Sequence, residues 1–155
     1  MDIDQFVIGY IETALFSSSI EEGFAAAWNA KHPGEDFRPD CSMQSFGFEP
    51  DDLDDSATAA MREECESFIA ANEADLLAYC ERMGTWHGSD TNRGANASYS
   101  GDEQAGGDFW LTRNGHGAGF WDRGLGELGK RLSKAAKTHG SSDLYIGDDE
   151  RIYVT

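Results

Sequence analysis

The strongest constraint on the fold comes from residues 108–124, which read DFWLTRNGHGAGFWDRG. Two aromatic pairs, Phe109-Trp110 and Phe120-Trp121, lie on either side of a glycine-rich centre. Asn114-Gly115 is a favoured turn dipeptide, because both residues tolerate the positive φ of a tight hairpin turn. Aromatic residues on both sides of such a turn are typical of strands. The stretch therefore predicts a β-hairpin with strands near residues 109–113 and 118–122.

The charge of the chain is strongly negative and unevenly distributed. The 155 residues carry a formal net charge of −17; residues 1–90 hold 20 acidic and 4 basic side chains, whereas residues 91–155 hold 9 and 8. Nucleic-acid sites need positive potential, so we expect no direct nucleic-acid binding over a broad surface. An acidic surface instead attracts basic partners, including the nucleic-acid-binding faces of other proteins. The alternative is that the acidity only keeps the protein in solution.

Three cysteines, Cys41, Cys65 and Cys80, show no metal-ligand spacing. A single helix would hold Cys65 and Cys80 about 22 Å apart, too far for a disulfide. We therefore expect reduced thiols, as in intracellular proteins. Neither a signal peptide nor an apolar run long enough to cross a membrane is present in the sequence. The expected location is the cytoplasm, with no membrane partner.

Apolar residues at three- and four-residue spacing predict two helices near the N-terminus. The first covers residues 4–16, with Asp4 as its cap, and the second covers residues 20–30. Residues 32–50 contain all three prolines and predict an irregular connection. Its Phe37, Phe46 and Phe48 are expected to pack on the core.

Residues 51–83 form the clearest predicted helix, with one apolar stripe that runs from Met61 through Phe68 to Met83. Aspartates crowd its start, where the helix dipole favours carboxylates. More carboxylates lie on the other face. The expected partner-binding residues are Asp51, Asp52, Asp54, Asp55, Glu63, Glu66, Glu73 and Asp75. Two interpretations remain open: an ordinary solvated helix face, or a row of carboxylates that imitates the phosphates of DNA.

The rest of the chain completes a prediction of one α+β domain over residues 1–155. Residues 84–107 lack periodicity and predict a long, functional or mobile loop. Residues 125–139 predict a helix with a basic C-terminal half, which could pair with the acidic long helix. Residues 144–146 and 151–154 predict a second hairpin. The expected architecture is three or four helices packed on one small antiparallel sheet made by the two hairpins.

The glycine-rich centre is the one place where the sequence suggests small-molecule chemistry. His116 lies between two glycines, with Arg113, Asp122 and Asp108 nearby in sequence. A general base needs an orienting carboxylate and a reacting group, and no partner motif supplies them. A histidine in such a turn is more often structural or exposed, so no catalytic residue is predicted, and His116, Arg113 and Asp122 stay candidates only.

No zinc spacing, EF-hand, phosphate-binding loop or dinucleotide motif occurs in the sequence. We therefore predict no metal and no cofactor. The aromatic pairs of residues 108–124 could stack on bases, but without a basic groove beside them they are expected to be core.

Three separated blocks carry a resemblance to a known kind of protein: YIETALF at residues 10–16, residues 108–124, and DLYIGDDERIY at residues 143–153. Together they resemble a family of small, mostly uncharacterised proteins encoded by bacteriophages and other mobile elements. Two positions depart from that pattern: Gly107 stands where a histidine is expected, and Glu150 where a glycine usually completes the turn. The resemblance implies no catalytic residue.

The resemblance to phage-encoded proteins implies a function for the acidity. Small, strongly acidic phage proteins are similar in composition to inhibitors that imitate DNA and occupy restriction or CRISPR nucleases. We therefore expect a protein that acts in the cytoplasm of a bacterial host and binds a basic nucleic-acid-binding surface of a defence protein. The alternatives are a small-ligand protein or enzyme that uses the His116 turn, and a phage accessory protein that binds partners without mimicry.

Overall fold

The structure is a computed structural model that describes residues 1–35, 41–90 and 93–155. Six α-helices and two β-hairpins lie within these residues, so the α+β class is confirmed with more helices than predicted. The elements are α1 (Ile3–Ser17), α2 (Glu22–Lys31), α3 (Met43–Phe46), α4 (Asp55–Met83), β1 (Trp86–Asp90), β2 (Gly94–Tyr99), α5 (Gly101–Arg113), α6 (Glu127–Lys137), β3 (Leu144–Ile146) and β4 (Ile152–Val154).

Aspartate caps begin the two long helices of the N-terminal half. The Asp2 carboxylate, rather than the predicted Asp4, accepts a hydrogen bond from the backbone N–H of Gln5 and begins α1. Asp54 accepts one from the N–H of Ser56 at 2.9 Å and begins α4. The long predicted helix is therefore confirmed from residue 55 onward, and a 3₁₀ turn at Pro50–Asp52 precedes it.

Helices α1 and α5 approach each other closely enough that two glycines are required at their contact. A Cβ atom on Gly9 of α1 would collide with the backbone carbonyl of Glu103, and one on Gly106 of α5 would collide with the carbonyl of Phe6. Helices α4 and α6 pack against this pair. The Phe68 ring of α4 stacks on the Phe109 ring of α5 with their centroids 4.0 Å apart, which places the aromatic core between these helices.

The predicted hairpin over residues 109–122 is wrong, because its first strand is the second half of helix α5. Ser100 accepts a hydrogen bond from the N–H of Glu103, and the Glu103 carboxylate accepts one from the N–H of Ser100, which is a capping box. Nearly every residue of this helix beyond Gln104 is buried, so its apolar side chains show no helical period. Sequence periodicity could not distinguish it from a strand.

Asn114-Gly115 ends helix α5 instead of turning a hairpin. The N–H of His116 donates to the carbonyl of Leu111 at 3.0 Å, and the N–H of Gly115 donates to the carbonyl of Thr112 at 3.3 Å. With Gly115 at a φ of 70°, these bonds form a Schellman motif. The chain then folds back onto the helix, and the predicted second strand is a loop with a 3₁₀ turn at Phe120–Asp122.

The described residues of the range 84–107 include strands β1 and β2 and the first half of α5, where the composition predicted a long loop. Strands β1 and β2 are antiparallel, with Trp86 opposite Tyr99. Arg93 holds the hairpin against α1 through a 2.9 Å ion pair with Glu12, and its guanidinium lies 4.2 Å from the centre of the Tyr99 ring.

The other predicted elements are confirmed with small shifts of their ends. Helices α2 and α6 match the second and the last predicted helices, and β3 pairs with β4 as expected. Phe46 and Phe48 are buried, whereas Phe37 lies outside the described residues. In the described part of the chain the two hairpins form separate two-stranded sheets, so the prediction of a single sheet beneath the helices is wrong.

Candidate functional site

Asp108, the first residue of the aromatic motif at residues 108–124, holds together three parts of the fold. It is almost fully buried and accepts hydrogen bonds from the Tyr79 hydroxyl at 2.6 Å and from Nε of Arg123 at 2.9 Å. Burial and the neighbouring carboxylate raise the pKa of Tyr79, and the hydrogen bonds to Asp108 raise the pKa of Arg123. Each partner therefore keeps its protonated, donating form. Asp108 is a structural residue that joins α4, α5 and the loop after α5.

Arg113 is also buried, and its guanidinium makes four hydrogen bonds within the fold. It donates to the Tyr10 hydroxyl at 2.7 Å, to Glu64 at 3.2 Å, and to the backbone carbonyls of His139 and Gly140. These bonds tie α5 to α1, to α4 and to the turn that follows α6. The Arg113 side chain is only 4% exposed, so this residue is accounted for by folding.

Asp122 shapes the loop that follows α5. Its carboxylate accepts a hydrogen bond from the N–H of Gly119 at 3.0 Å. Nearby, the N–H of Phe120 donates to the Thr112 hydroxyl, which directs the Phe120 ring into the core. Three of the four motif aromatics are buried as expected, while Trp121 is 54% exposed. Asp122, like Asp108 and Arg113, is accounted for by folding.

His116 is the one candidate of this set that lies in a cleft. The cleft has a volume of about 640 Å³, within the range of small-molecule sites. It lies where α1 and α5 end, beside the chain that enters β3. Its lining residues are Ser17, Ser18, Ser19, Glu21, Trp110, Asn114, His116, Ser141, Ser142, Asp143, Leu144, Tyr145 and Thr155. Because Asp108, Arg113 and Asp122 do not line it, the residues of the predicted enzyme site are not brought together.

The second candidate site is the exposed face of helix α4. Eight exposed residues recur along it at spacings of three and four, which places them in one row that continues across a kink at Asn72, where the φ is −132°. The row consists of Asp55, Ala59, Glu63, Glu66, Ala70, Glu73, Leu77 and Glu81. We call this set the acidic row. Four of the predicted partner-binding residues belong to it; Leu77 and Glu81 were missed, although the same spacing in the sequence identifies them.

The other predicted partner-binding residues differ from the acidic row. Asp75 is turned toward α6, where Arg131 binds its two oxygens at 2.7 and 2.9 Å. The hydrogen bonds from Arg131 hold the pKa of Asp75 below its usual value. This pair confirms that the basic last helix contacts the acidic one.

The aspartates at the start of α4 take part mostly in capping. Asp52 accepts a hydrogen bond from the N–H of Glu49, and Asp54 accepts from Ser56. The hydrogen bonds from Ser56 lower the pKa of Asp54. Only Asp51 remains exposed in the turn before Leu53. The predicted set thus divides into an exposed row and a group with local structural tasks.

Ion pairs neutralise little of the acidic row. Arg62 contacts Glu66 at 2.9 Å and also reaches Asp4 of α1. Within residues 1–35, 41–90 and 93–155, neither Glu63 nor Glu73 has an ion-pair partner. Their charges face solvent.

Comparison with known proteins adds no relative. No family model matches the chain, and neither a curated protein nor a solved structure shows significant similarity to it. Over the described residues, no helix is both long and apolar enough to cross a membrane, and no three His, Cys, Asp or Glu side chains converge as a metal site. The two surfaces above are therefore interpreted from their own chemistry.

Proposed function

We propose that the protein is a binding inhibitor whose acidic row docks on a basic nucleic-acid-binding surface of a host defence protein. The bound protein competes with DNA or RNA for that surface, by charge and by occupying the space. The resemblance to phage-encoded proteins favours a restriction or CRISPR nuclease as the target. The proposal needs no catalytic residue and no cofactor.

One observation carries the proposal: Glu63 and Glu73 lie exposed on one row with no cation beside them in the described structure. Surface carboxylates with a partner contribute little field, since the partner's charge cancels theirs. Unpaired ones add to the long-range potential that steers a basic partner toward the protein. In a chain of net charge −17, this potential is strong at low salt and falls within about 10 Å at 0.1 M salt.

The length of the acidic row sets the size of the surface that it can cover. At 1.5 Å per residue, Asp55 to Glu81 follows about 39 Å of helix axis, which bends at Asn72, so the row spans at most the length of roughly eleven base pairs at 3.4 Å each. The five carboxylates are then about 10 Å apart, sparser than one DNA strand. The row therefore fits a target whose lysines and arginines are spread along a channel rather than clustered in one pocket.

Leu77 gives the row an apolar contact as well. It is 48% exposed and lies one turn beyond Glu73 on the same face. An exposed leucine among carboxylates suits a partner surface that offers an apolar patch between its basic residues. This mixture distinguishes a specific protein contact from attraction to any polycation.

The test is affinity capture of bacterial host proteins on the immobilised chain, followed by elution with salt or with duplex DNA. We expect a nucleic-acid-binding protein that both treatments release. The double variant Glu63→Lys/Glu73→Lys should lose the capture. Its matched control is Glu22→Lys/Asp148→Lys, which changes the net charge equally at exposed positions outside the row.

The outcomes separate the competing interpretations. Capture that survives Glu63→Lys/Glu73→Lys would overturn the proposed surface. Capture that DNA does not displace would favour an accessory protein that binds without mimicry. Equal loss in both double variants would show that only net charge matters.

A further inference from the structure

The polar cleft beside His116 shares no residue with the acidic row and has a distinct chemistry. Four segments of the chain build it: the chain from the end of α1 to Glu21, the end of α5, residues 141–145 before and within β3, and Thr155 after β4. Its floor includes Trp110, whose indole N–H donates to the Ser17 hydroxyl at 2.9 Å, and Ser142, whose hydroxyl donates to the backbone carbonyl of Thr155. The floor is thus held in place by its own hydrogen bonds.

The charges around the cleft have one sign. Glu21 and Asp143 are its charged side chains apart from His116, and neither carboxylate has an ion-pair partner in the described part of the chain. Helices α1 and α5 both end here and α2 begins beside Glu21, so the partial charges of the helix ends oppose one another and the two carboxylates set the sign. Arg113 is the nearest basic residue in sequence, at the end of α5, but it is buried and bonds Glu64, Tyr10 and the carbonyls of residues 139 and 140. An anion would be repelled from such a site.

The uncharged groups of the cleft suit a donor-rich ligand. The hydroxyls of Ser18, Ser19 and Ser141 can accept hydrogen bonds from N–H groups. Tyr145 is 42% exposed and is held by stacking on Tyr153, with the ring centroids 5.5 Å apart. An exposed and fixed aromatic face attracts cations.

We propose that this cleft binds a small organic cation that carries an ammonium or guanidinium group, with Glu21 and Asp143 as its countercharges. The volume of about 640 Å³ accommodates a ligand the size of an amino-acid derivative or a short polyamine. The ligand's N–H groups donate to the carboxylates and to the serine hydroxyls, and its charged end lies near the Tyr145 ring. The inference is independent of the acidic row.

The experiment is a titration of the full chain with agmatine, followed by two-dimensional amide NMR and by calorimetry. The neutral comparison ligand is N-acetyl-N′-carbamoylputrescine, which keeps the four-carbon chain of agmatine but carries a urea and an acetamide in place of its two charged groups. We expect agmatine to shift the amides of residues 17–21 and 141–145, and the neutral ligand to shift none of them. Glutamate, as an anion, should also leave these amides unchanged.

Matched variants separate a specific site from general attraction to an acidic protein. Glu21→Gln/Asp143→Asn should weaken agmatine binding tenfold or more. Glu63→Gln/Glu73→Gln removes the same charge from the acidic row and should change the affinity less than twofold. Equal weakening in both pairs, or shifts spread over α4, would overturn the proposal. Failure of the unmodified chain to capture a partner, with intact agmatine binding, would count against the acidic row alone, so the two proposals fail separately.

Discussion

The aromatic motif and the acidic helix differ in how their polar groups are used. The motif at residues 108–124 contains the residue types that are most typical of a catalytic site. Asp108 and Arg113, however, form their hydrogen bonds with Tyr79, Tyr10 and backbone carbonyls. Helix α4 has an unremarkable composition, yet Glu63 and Glu73 face solvent without partners in the described structure. Whether a polar group is already bonded within the fold, rather than its residue type, therefore decides whether its region can bind a partner.

Replacement of Arg113 by methionine should have the largest effect on stability. The change leaves the Tyr10 hydroxyl and two carbonyls near the end of α6 without their donor. Breaking a buried, hydrogen-bonded charge costs about 3–5 kcal/mol in the free energy of unfolding. Urea denaturation of Arg62→Met is the matched control, because Arg62 also bonds carboxylates but lies at the surface, so this variant should lose far less stability than Arg113→Met. Similar losses of stability in the two variants would mean that the buried hydrogen bonds of Arg113 stabilise the fold no more than the surface ion pairs of Arg62 do.

The contact between α1 and α5 predicts the next largest effect. Gly106→Ala should lower the free energy of unfolding by about 1–3 kcal/mol, because the new Cβ meets the backbone carbonyl of Phe6. Gly23→Ala on α2 is the control, since nothing lies within 4 Å of a Cβ there. That variant should gain about 0.5–1 kcal/mol from helix propensity. Thermal unfolding of both variants, relative to the parent chain, should show changes in the free energy of unfolding of opposite sign. A stabilised Gly106→Ala variant would show that α1 and α5 can move apart without loss of stability.

Helices α1, α4 and α5 show what the sequence could and could not predict about the fold. Helices α1 and α4 were found because one face is buried and the other solvated, which leaves a period in the sequence. Helix α5 was missed since burial on nearly all sides removes that period, and since Gly106 and Gly107 look like breakers although they permit close packing. Ser100 and Glu103 were the available signal, at capping-box spacing.

The candidate sites were predictable to a different extent. The spacing of Asp55, Glu63, Glu66 and Glu73 is visible in the sequence, so most of the acidic row could be named in advance. The contact between Asp75 and Arg131 could not be predicted in this way, because it depends on how α6 crosses α4. The cleft joins Glu21 to Asp143 across more than a hundred residues, and no local pattern indicates such a meeting.

Asp75→Asn sharpens the distinction between the paired and the unpaired carboxylates of α4. The Arg131 hydrogen bonds lower the folded-state pKa of Asp75 below its usual 3.8, so the pair contributes stability above that value. The contribution is lost as the pH falls through the folded-state pKa. At neutral pH the variant should lose less than about 1 kcal/mol because the pair is partly exposed. Urea titrations of both proteins from pH 7 downward should show this difference shrinking below about pH 4 and disappearing once Asp75 is protonated in the folded protein. A difference that persists in strong acid would mean that the Asn side chain disturbs packing rather than removing an ion pair.

The smallest change in stability is expected for Glu63→Lys/Glu73→Lys, the variant that should have the largest effect on partner capture. Each substitution adds two units of charge, so the net charge moves from −17 to −13. Surface substitutions of this kind change the free energy of unfolding by at most about 0.5 kcal/mol each, and reduced self-repulsion favours a small gain at low salt. Urea denaturation at low and at high salt measures it, and the gain should disappear at high salt because screening removes the repulsion. A loss above about 2 kcal/mol would assign Glu63 and Glu73 to the fold. The acidic helix would then resemble the aromatic motif, with its charges used internally and none left for a partner.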